Sequence, residues 1–313
     1  MAETSLATTS AGVSSKKVWT TLITNTAYLT GLLTLDYSLK KHGSKYPLVA
    51  LYTDTFPPEG HAALDARHIP KQHVKYLLPS VHKDFTNDPR FYDCWSKLTP
   101  FSLTEYDRVV QLDSDMLALA NMDELMDLPL DAPAAAGKGP RVFAASHACV
   151  CNPLKKPHYP ATWIPANCAF TSQHADPPAA QKAGAPPTAG LGMPNGGLQV
   201  VNPSAAVYEL ILERLSHPET MDYDFADQSL LADLFHGRWV ALPYTYNALK
   251  TMRTSAHSVL WRDDEVKNVH FLLSPKPWDE EQGKCSQEIH EWWWPVNNER
   301  LADEKKRGIE DGF

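Results

Sequence analysis

The sequence predicts an α/β fold, a single domain with a mostly parallel central sheet flanked by helices. Three observations lead there. Short runs rich in β-branched and aromatic residues alternate with segments of helical period, the pattern of strand–helix–strand units. One run, Arg108-Val109-Val110-Gln111-Leu112, stops abruptly at Asp113-Ser114-Asp115, as a strand does whose carboxyl end faces a ligand crevice. The chain's 313 residues, 43% hydrophobic and 21% charged, suit one such sheet or two closely associated lobes.

The elements follow in order. Residues 1–16, rich in Ser, Thr and Ala, are expected to form a disordered tail. Val18 to Thr24 reads as a buried first strand, and Leu29 to His42 as a helix carrying Leu32, Leu33, Leu35 and Leu39 on its inner face. Gly43 is a plausible stop. Tyr46 to Tyr52 and Val74 to Leu78 are the second and third strands, Asp93 to Leu103 is helical, and Arg108 to Leu112 leads to the acidic pair. From Asn152 to Pro194 the pattern fails: nine prolines make this stretch too long for an ordinary connector. Gly197–Val201 resumes as a strand, with helices at Ser204–Leu215 and Ala226–Leu234 and a late strand at Val266–Phe271. The domain is expected to span 17–283, with 152–194 as a Pro-rich insertion and 284–313 as a Trp-rich helical tail.

Composition narrows the function. A net charge of −8 argues against nucleic acid as a partner. No apolar run approaches ~20 residues, so no membrane span is expected. The first residues lack the basic-then-apolar order of a signal peptide, no permitted Asn-x-Ser/Thr acceptor occurs, and five cysteines do not suggest a disulfide framework. The expected location is the cytoplasm.

Asp113 and Asp115 offer oxygen ligands suited to a hard divalent cation, and such a cation can neutralise a diphosphate. Alone, the triplet reads first as a solvated turn. Its company is more specific. Thr21-Leu22-Ile23-Thr24-Asn25-Thr26-Ala27-Tyr28 opens the chain and Ser96-Lys97-Leu98 precedes the acidic strand. Asn195-Gly196-Gly197 follows it, then Asp227-Gln228, then His270-Phe271-Leu272-Leu273-Ser274-Pro275-Lys276-Pro277-Trp278. These six ordered segments, from Val18 to Trp278, resemble the family 8 retaining glycosyltransferases, which include glycogenin and galactinol synthase.

The resemblance implies a Rossmann-like GT-A fold and transfer of a hexose from a UDP-sugar donor, UDP-galactose or UDP-glucose. It implies Mn²⁺ (or Mg²⁺) held by Asp113, Asp115 and His270, acting as a Lewis acid on the leaving group. Lys276 suits phosphate oxygens, and Trp278 would lock the closing loop or simply pack in the core. Thr24, Asn25 and Tyr28 would meet the uracil, with Leu22 supplying backbone contacts and Ser114 near the ribose. Lys97 would reach the diphosphate or sugar, with Arg90 assisting. Gly196 and Gly197 allow close backbone approach to a ligand, while Asn195, Asp227 and Gln228 would read donor hydroxyls. Asp227 is alternatively a helix-start feature. Retention then suggests front-face attack, with Asp227 or Gln228 stabilising an oxocarbenium-like state. A homodimer is possible, as is common in the family.

The chain departs from glycogenin. No tyrosine follows Tyr246, which argues against self-glucosylation, and the glycine usual three residues after the motif's His is Leu273. Cys149-Val150-Cys151 with Cys168 echoes galactinol synthase, which points to UDP-galactose and a small polyol such as myo-inositol, although another small-molecule or glycan acceptor would fit equally. Cys149, Cys151, Cys168 and His174 are open to a zinc site or to plain burial. Trp292-Trp293-Trp294 reads as a tail packing back on the body. A non-catalytic UDP-sugar scaffold is the rival class, but such a scaffold should lose its metal ligands first.

Overall fold

The computed structural model describes residues 12–81, 84–86 and 88–313. Most of the expected tail therefore lies outside the described residues. The strands are β1 (Lys17–Ile23), β2 (Leu48–Tyr52), β3 (Lys71–His73), β4 (Arg108–Leu112), β5 (Met116–Ala118), β6 (Phe143–Ser146), β7 (Leu198–Val201), β8 (Val240–Leu242), β9 (Ala248–Leu249) and β10 (Asn268–His270). The helices are α1 (Leu29–Lys41), α2 (Pro58–Ala66), α3 (Arg90–Cys94), α4 (Pro177–Ala180), α5 (Ala205–Ser216), α6 (Ala226–Leu234) and α7 (Trp293–Lys306).

Seven strands form the central sheet in the order β3-β2-β1-β4-β7-β6-β8. Every pairing is parallel except the two made by β7, so the expected mostly parallel sheet is present. β1, β2 and β4 are buried almost throughout, as central strands covered on both faces must be. Helix α1 packs its leucines against Trp19, Leu48 and Leu112 on one face. On the other, Trp95, Leu98 and Phe101 meet Val201 and the buried face of α6.

The third strand lies earlier than the apolar run Val74–Leu78 implies. β3 is an edge strand whose partners, Ala50 to Tyr52, end where β2 ends. Val74 and Leu77 are buried, but the Val74 N–H already donates to the last residue of β2, Tyr52 (2.8 Å), and the chain beyond it leaves the ladder. The helical reading of 93–103 resolves into α3 followed by a 3-10 helix, Trp95–Ser102, with Pro100 inside it; proline cannot donate to an i−4 carbonyl.

Three connections place the chemistry. β4 leads directly into Asp113, whose N–H donates to the Gly197 carbonyl (2.8 Å), so the acidic triplet and the Asn-Gly-Gly turn share one edge. A small second sheet, β5-β10-β9, lies beyond it. There His270 pairs with Met116 and the Phe271 N–H donates to the Asp115 carbonyl (2.9 Å). The insertion is clamped at its base by a bridge between His147 and Pro194.

The tail docks on the body. α7 reaches α1 through Thr34 and Asn297 (2.9 Å). Glu304, buried, takes both Arg67 (2.8–2.9 Å) and Arg300 (2.8 Å). Trp293 is 1% exposed, and its ring lies 5.7 Å from Trp278.

Candidate active site

The strand ends and loops enclose a cleft of about 270 Å³ at the carboxyl edge of the sheet. On its floor Asp113, Asp115 and His270 bring one ligand atom each within 4.8 Å of one another. His270 Nε2 lies 3.2 Å from Asp115 and 3.7 Å from Asp113.

The histidine's orientation follows from a chain of hydrogen bonds. Asn195 Oδ1 accepts from the Gly197 N–H (3.0 Å) and from Asn247 Nδ2 (2.8 Å). Asn247 must therefore turn its oxygen toward His270 Nδ1, 2.9 Å away, and that nitrogen carries the proton. The Nε2 lone pair is left facing the two carboxylates. This is the tautomer that ligates a metal, held by the outer partner such a ligand ordinarily has. Two carboxylates and an imidazole suit Mn²⁺ or Mg²⁺, so the residues fit the cation the fold implies. Asn195 thus serves the histidine with its oxygen, and Asn247, in an aperiodic stretch, gave no sequence signal.

Two lysines face the aspartates. Lys97 donates to Asp113 (2.7 Å) and Lys276 to Asp115. Burial alone would raise the Asp115 carboxyl, but the Lys276 ammonium, joined by His270 whenever its Nε2 is protonated as well, outweighs it and holds the group well below its usual range. Burial would likewise lower Lys97; the nearby Asp113 charge reverses this and holds the ammonium well above its usual range. Lys276 is 3% exposed and lies beside the floor, with its ammonium 5.4 Å from the Tyr28 ring.

Asp227 occupies the first turn of α6, and the residue before the helix is Phe225, so Asp227 is not the cap. Its carboxylate is 2% exposed. Burial pushes its pKa up to about 7 and Asp113 adds to the rise, against the pull of Lys97. Gln199 donates to it (3.3 Å), and Gln228 Oε1 accepts from the Gly196 N–H (2.9 Å).

The two glycines make room for side chains of the protein itself. A Cβ on Gly196 would overlap the Asp227 carboxylate, and one on Gly197 would lie 2.5 Å from the His270 ring. Gly31 plays the same part for the Ser114 carbonyl and the Trp278 ring, 2.4 and 2.6 Å from where its Cβ would stand, and that ring meets Tyr28 edge-on at 5.9 Å.

The remaining expected residues line the cleft or support it. Thr24 donates to Asp93 (3.0 Å), which also takes the Tyr76 hydroxyl (2.8 Å). Asn25 caps the following turn through Ala27 (2.9 Å). Ser114 donates to the Leu22 carbonyl (3.1 Å) and pairs with Thr21 (2.9 Å). Arg90 lines the cleft with its guanidinium bound to Asp88 (2.6–2.7 Å). Leu273 adopts φ 64, a backbone conformation glycine takes at no cost. Sequence reasoning missed the aromatic wall opposite the floor, where Trp163 stacks on Phe225 at 4.0 Å and Tyr159 meets both rings at 5.1 Å.

A mostly parallel sheet whose carboxyl edge carries an acidic triplet and a facing histidine is the architecture of the GT-A glycosyltransferase fold, a fold shared with the galactosyltransferase LgtC, solved in complex with donor and acceptor sugar analogues. That structure superposes with a TM-score of 0.55 at 15% identity, covering 93% of this chain and all of LgtC. Residues 20–282 match the model of glycosyl transferase family 8, and the chain belongs to that family. It is a hexosyltransferase. Among curated proteins it is 29% identical to galactinol synthase 1 of Solanum lycopersicum, over 92% of this chain and 84% of that protein. It is 26% identical to galactinol synthase 2 of Arabidopsis thaliana, over 95% and 85% respectively. No helix among the described residues is long and apolar enough to cross a membrane.

Proposed function

We propose that this protein transfers galactose from UDP-galactose to a small polyol such as myo-inositol, with retention of anomeric configuration. The observation that carries the reading is the convergence of Asp113, Asp115 and His270 under a cleft whose far wall comes from the Pro-rich insertion. The near full-length likeness to proteins named galactinol synthase supports the donor and acceptor.

Asp113, Asp115 and His270 would hold Mn²⁺ or Mg²⁺. When bound, the cation supplies Lewis-acid stabilisation of negative charge on the departing diphosphate. Lys276 and Lys97 add positive charge at the same place: as donor phosphates arrive, each ammonium can exchange its carboxylate for a phosphate oxygen. Thr24, Asn25, Tyr28 and the Leu22 backbone border the space for the base, with Ser114 toward the ribose. Trp278, braced by Trp293, holds the 270–278 loop against α1. Asp227 and Gln228 lie on the sugar side; the ionised Asp227 carboxylate would stabilise an oxocarbenium-like state while the acceptor hydroxyl attacks from the leaving-group face. Asn195, Gly196 and Gly197 set that carboxylate and His270 in register. Residues 152–194 would shape the acceptor pocket, with Tyr159 and Trp163 offering apolar faces to a polyol ring.

The test is UDP release after chelation and Mn²⁺ add-back, comparing UDP-galactose with UDP-glucose, with and without myo-inositol. Inositol-stimulated release from UDP-galactose is expected. Equal release with and without inositol would overturn the acceptor, and preference for UDP-glucose would overturn the donor.

A further inference from the structure

Cys149, Cys151, Cys168 and His257 come from three separate segments, yet their ligand atoms all lie within 4.8 Å of one another. Cys149 and Cys151 follow β6, Cys168 sits in the insertion, and His257 belongs to the loop after β9. Cys168 is 2% exposed and His257 is fully buried.

We propose that these four residues bind one structural zinc ion that fastens the Pro-rich insertion to the catalytic body. Three thiolates and an imidazole form a soft, closed tetrahedral set, the composition zinc prefers. A zinc ion with bonds of about 2.1–2.3 Å needs ligand atoms roughly 3.5–4 Å apart, so the cluster requires only small adjustments. His257 already points Nε2 at Cys151 Sγ, 3.0 Å away. Its Nδ1 lies 3.0 Å from His174 Nε2, which accepts that proton and fixes the ligating tautomer, as outer partners of zinc histidines do. His174 is thus the support and His257 the ligand. Binding releases the thiol protons to solvent and involves no change of oxidation state.

The position gives the ion a purpose. Cys149 lines the active cleft, as do Asn152, Tyr159 and Trp163 just downstream. The insertion is clamped at its base beside β6 and β7, but between 152 and 194 it has only short 3-10 turns and the four-residue α4. A cross-link at Cys168 to Cys149, Cys151 and His257 would hold the aromatic wall at a fixed distance from the metal floor.

The test reads metal and does not depend on turnover, so it stands apart from the donor and acceptor assignment. The full chain, purified without chelator and dialysed to strip Mn²⁺, is expected to retain about one zinc per chain. Exchange with Co²⁺ should give a thiolate-to-cobalt charge-transfer band and the intense visible bands of a tetrahedral site. Cys168→Ser and His257→Asn should lose or weaken those bands, whereas Cys285→Ser and Asp115→Asn should keep them. Should Cys168→Ser fail to fold, the wild-type cobalt spectrum decides alone. Metal-free protein with a disulfide between Cys168 and Cys149 or Cys151 would overturn the proposal, as would a cobalt spectrum without thiolate charge transfer.

Discussion

Adding a single methyl at Gly196 or at Gly197 should damage two different functions. Neither glycine has a positive φ, so alanine fits both backbones and only the side-chain collision matters. At Gly196 the new Cβ overlaps the Asp227 carboxylate and lies 3.0 Å from its Cγ and 3.2 Å from Gln228 Cγ. Restoring ordinary contact of ~3.5–4 Å to the carboxylate oxygen, 2.1 Å away, requires it to retreat by at least about 1.5 Å. A displacement of that size at a reacting group costs on the order of 100-fold in rate. At Gly197 the Cβ lies 2.5 Å from His270 Cε1 and 2.8 Å from Nδ1, so the ring, and its bond to Asn247, must shift. Gly196→Ala should therefore lower kcat by on the order of 100-fold with Mn²⁺ affinity nearly unchanged. Gly197→Ala should instead raise the Mn²⁺ concentration needed for half-maximal rate by roughly 10–100-fold. The assay is UDP release against Mn²⁺ at saturating donor, with thermal melts to confirm folding. Full activity in Gly196→Ala, or identical profiles for the two variants, would refute this reading of the turn.

Three further outcomes follow. Asn247→Leu strands the His270 Nδ1 proton and should weaken Mn²⁺ binding about 10–100-fold, read by calorimetry. Asp227 has a folded pKa near 7, above its unfolded value, so its contribution to stability is complete below pH ~4 and is lost as pH rises through ~7. Urea unfolding in chelator should accordingly find Asp227→Asn more stable than wild type at pH 8 by up to a few kcal/mol, little changed at pH 4, and inactive. Glu304→Ala leaves Arg67 and Arg300 buried without their shared carboxylate, and denaturant titration should show a loss of about 3–5 kcal/mol; Asp311, still on Arg67, favours the lower end.

Much of this was legible from local pattern. The Arg108–Leu112 strand, α1 and the mostly parallel sheet follow from periodicity, and the acidic triplet falls at the strand end that the pattern marks. What was not legible depends on distant partners. β3 is placed by where β2 ends, so the apolar Val74 and Leu77 misled. β6 and β8 are short strands flanked by polar or aperiodic sequence. Asn247 has meaning only through His270 and Asn195, 23 and 52 residues away. The glycines at 196 and 197 signalled a close approach to a ligand, whereas the atoms that crowd them belong to Asp227 and His270. The aromatic wall escaped because Tyr159 and Trp163 lie in a stretch without period, positioned by packing on Phe225.

The most direct measurement is proton NMR of the product formed from UDP-galactose and myo-inositol, with Mn²⁺ present and after its removal, for wild type and Asp115→Asn. An α-linked galactosyl-inositol that appears only in metal-replete wild type is the predicted result. A β-linked product, or undiminished α-product from Asp115→Asn or from metal-stripped enzyme, would contradict the account.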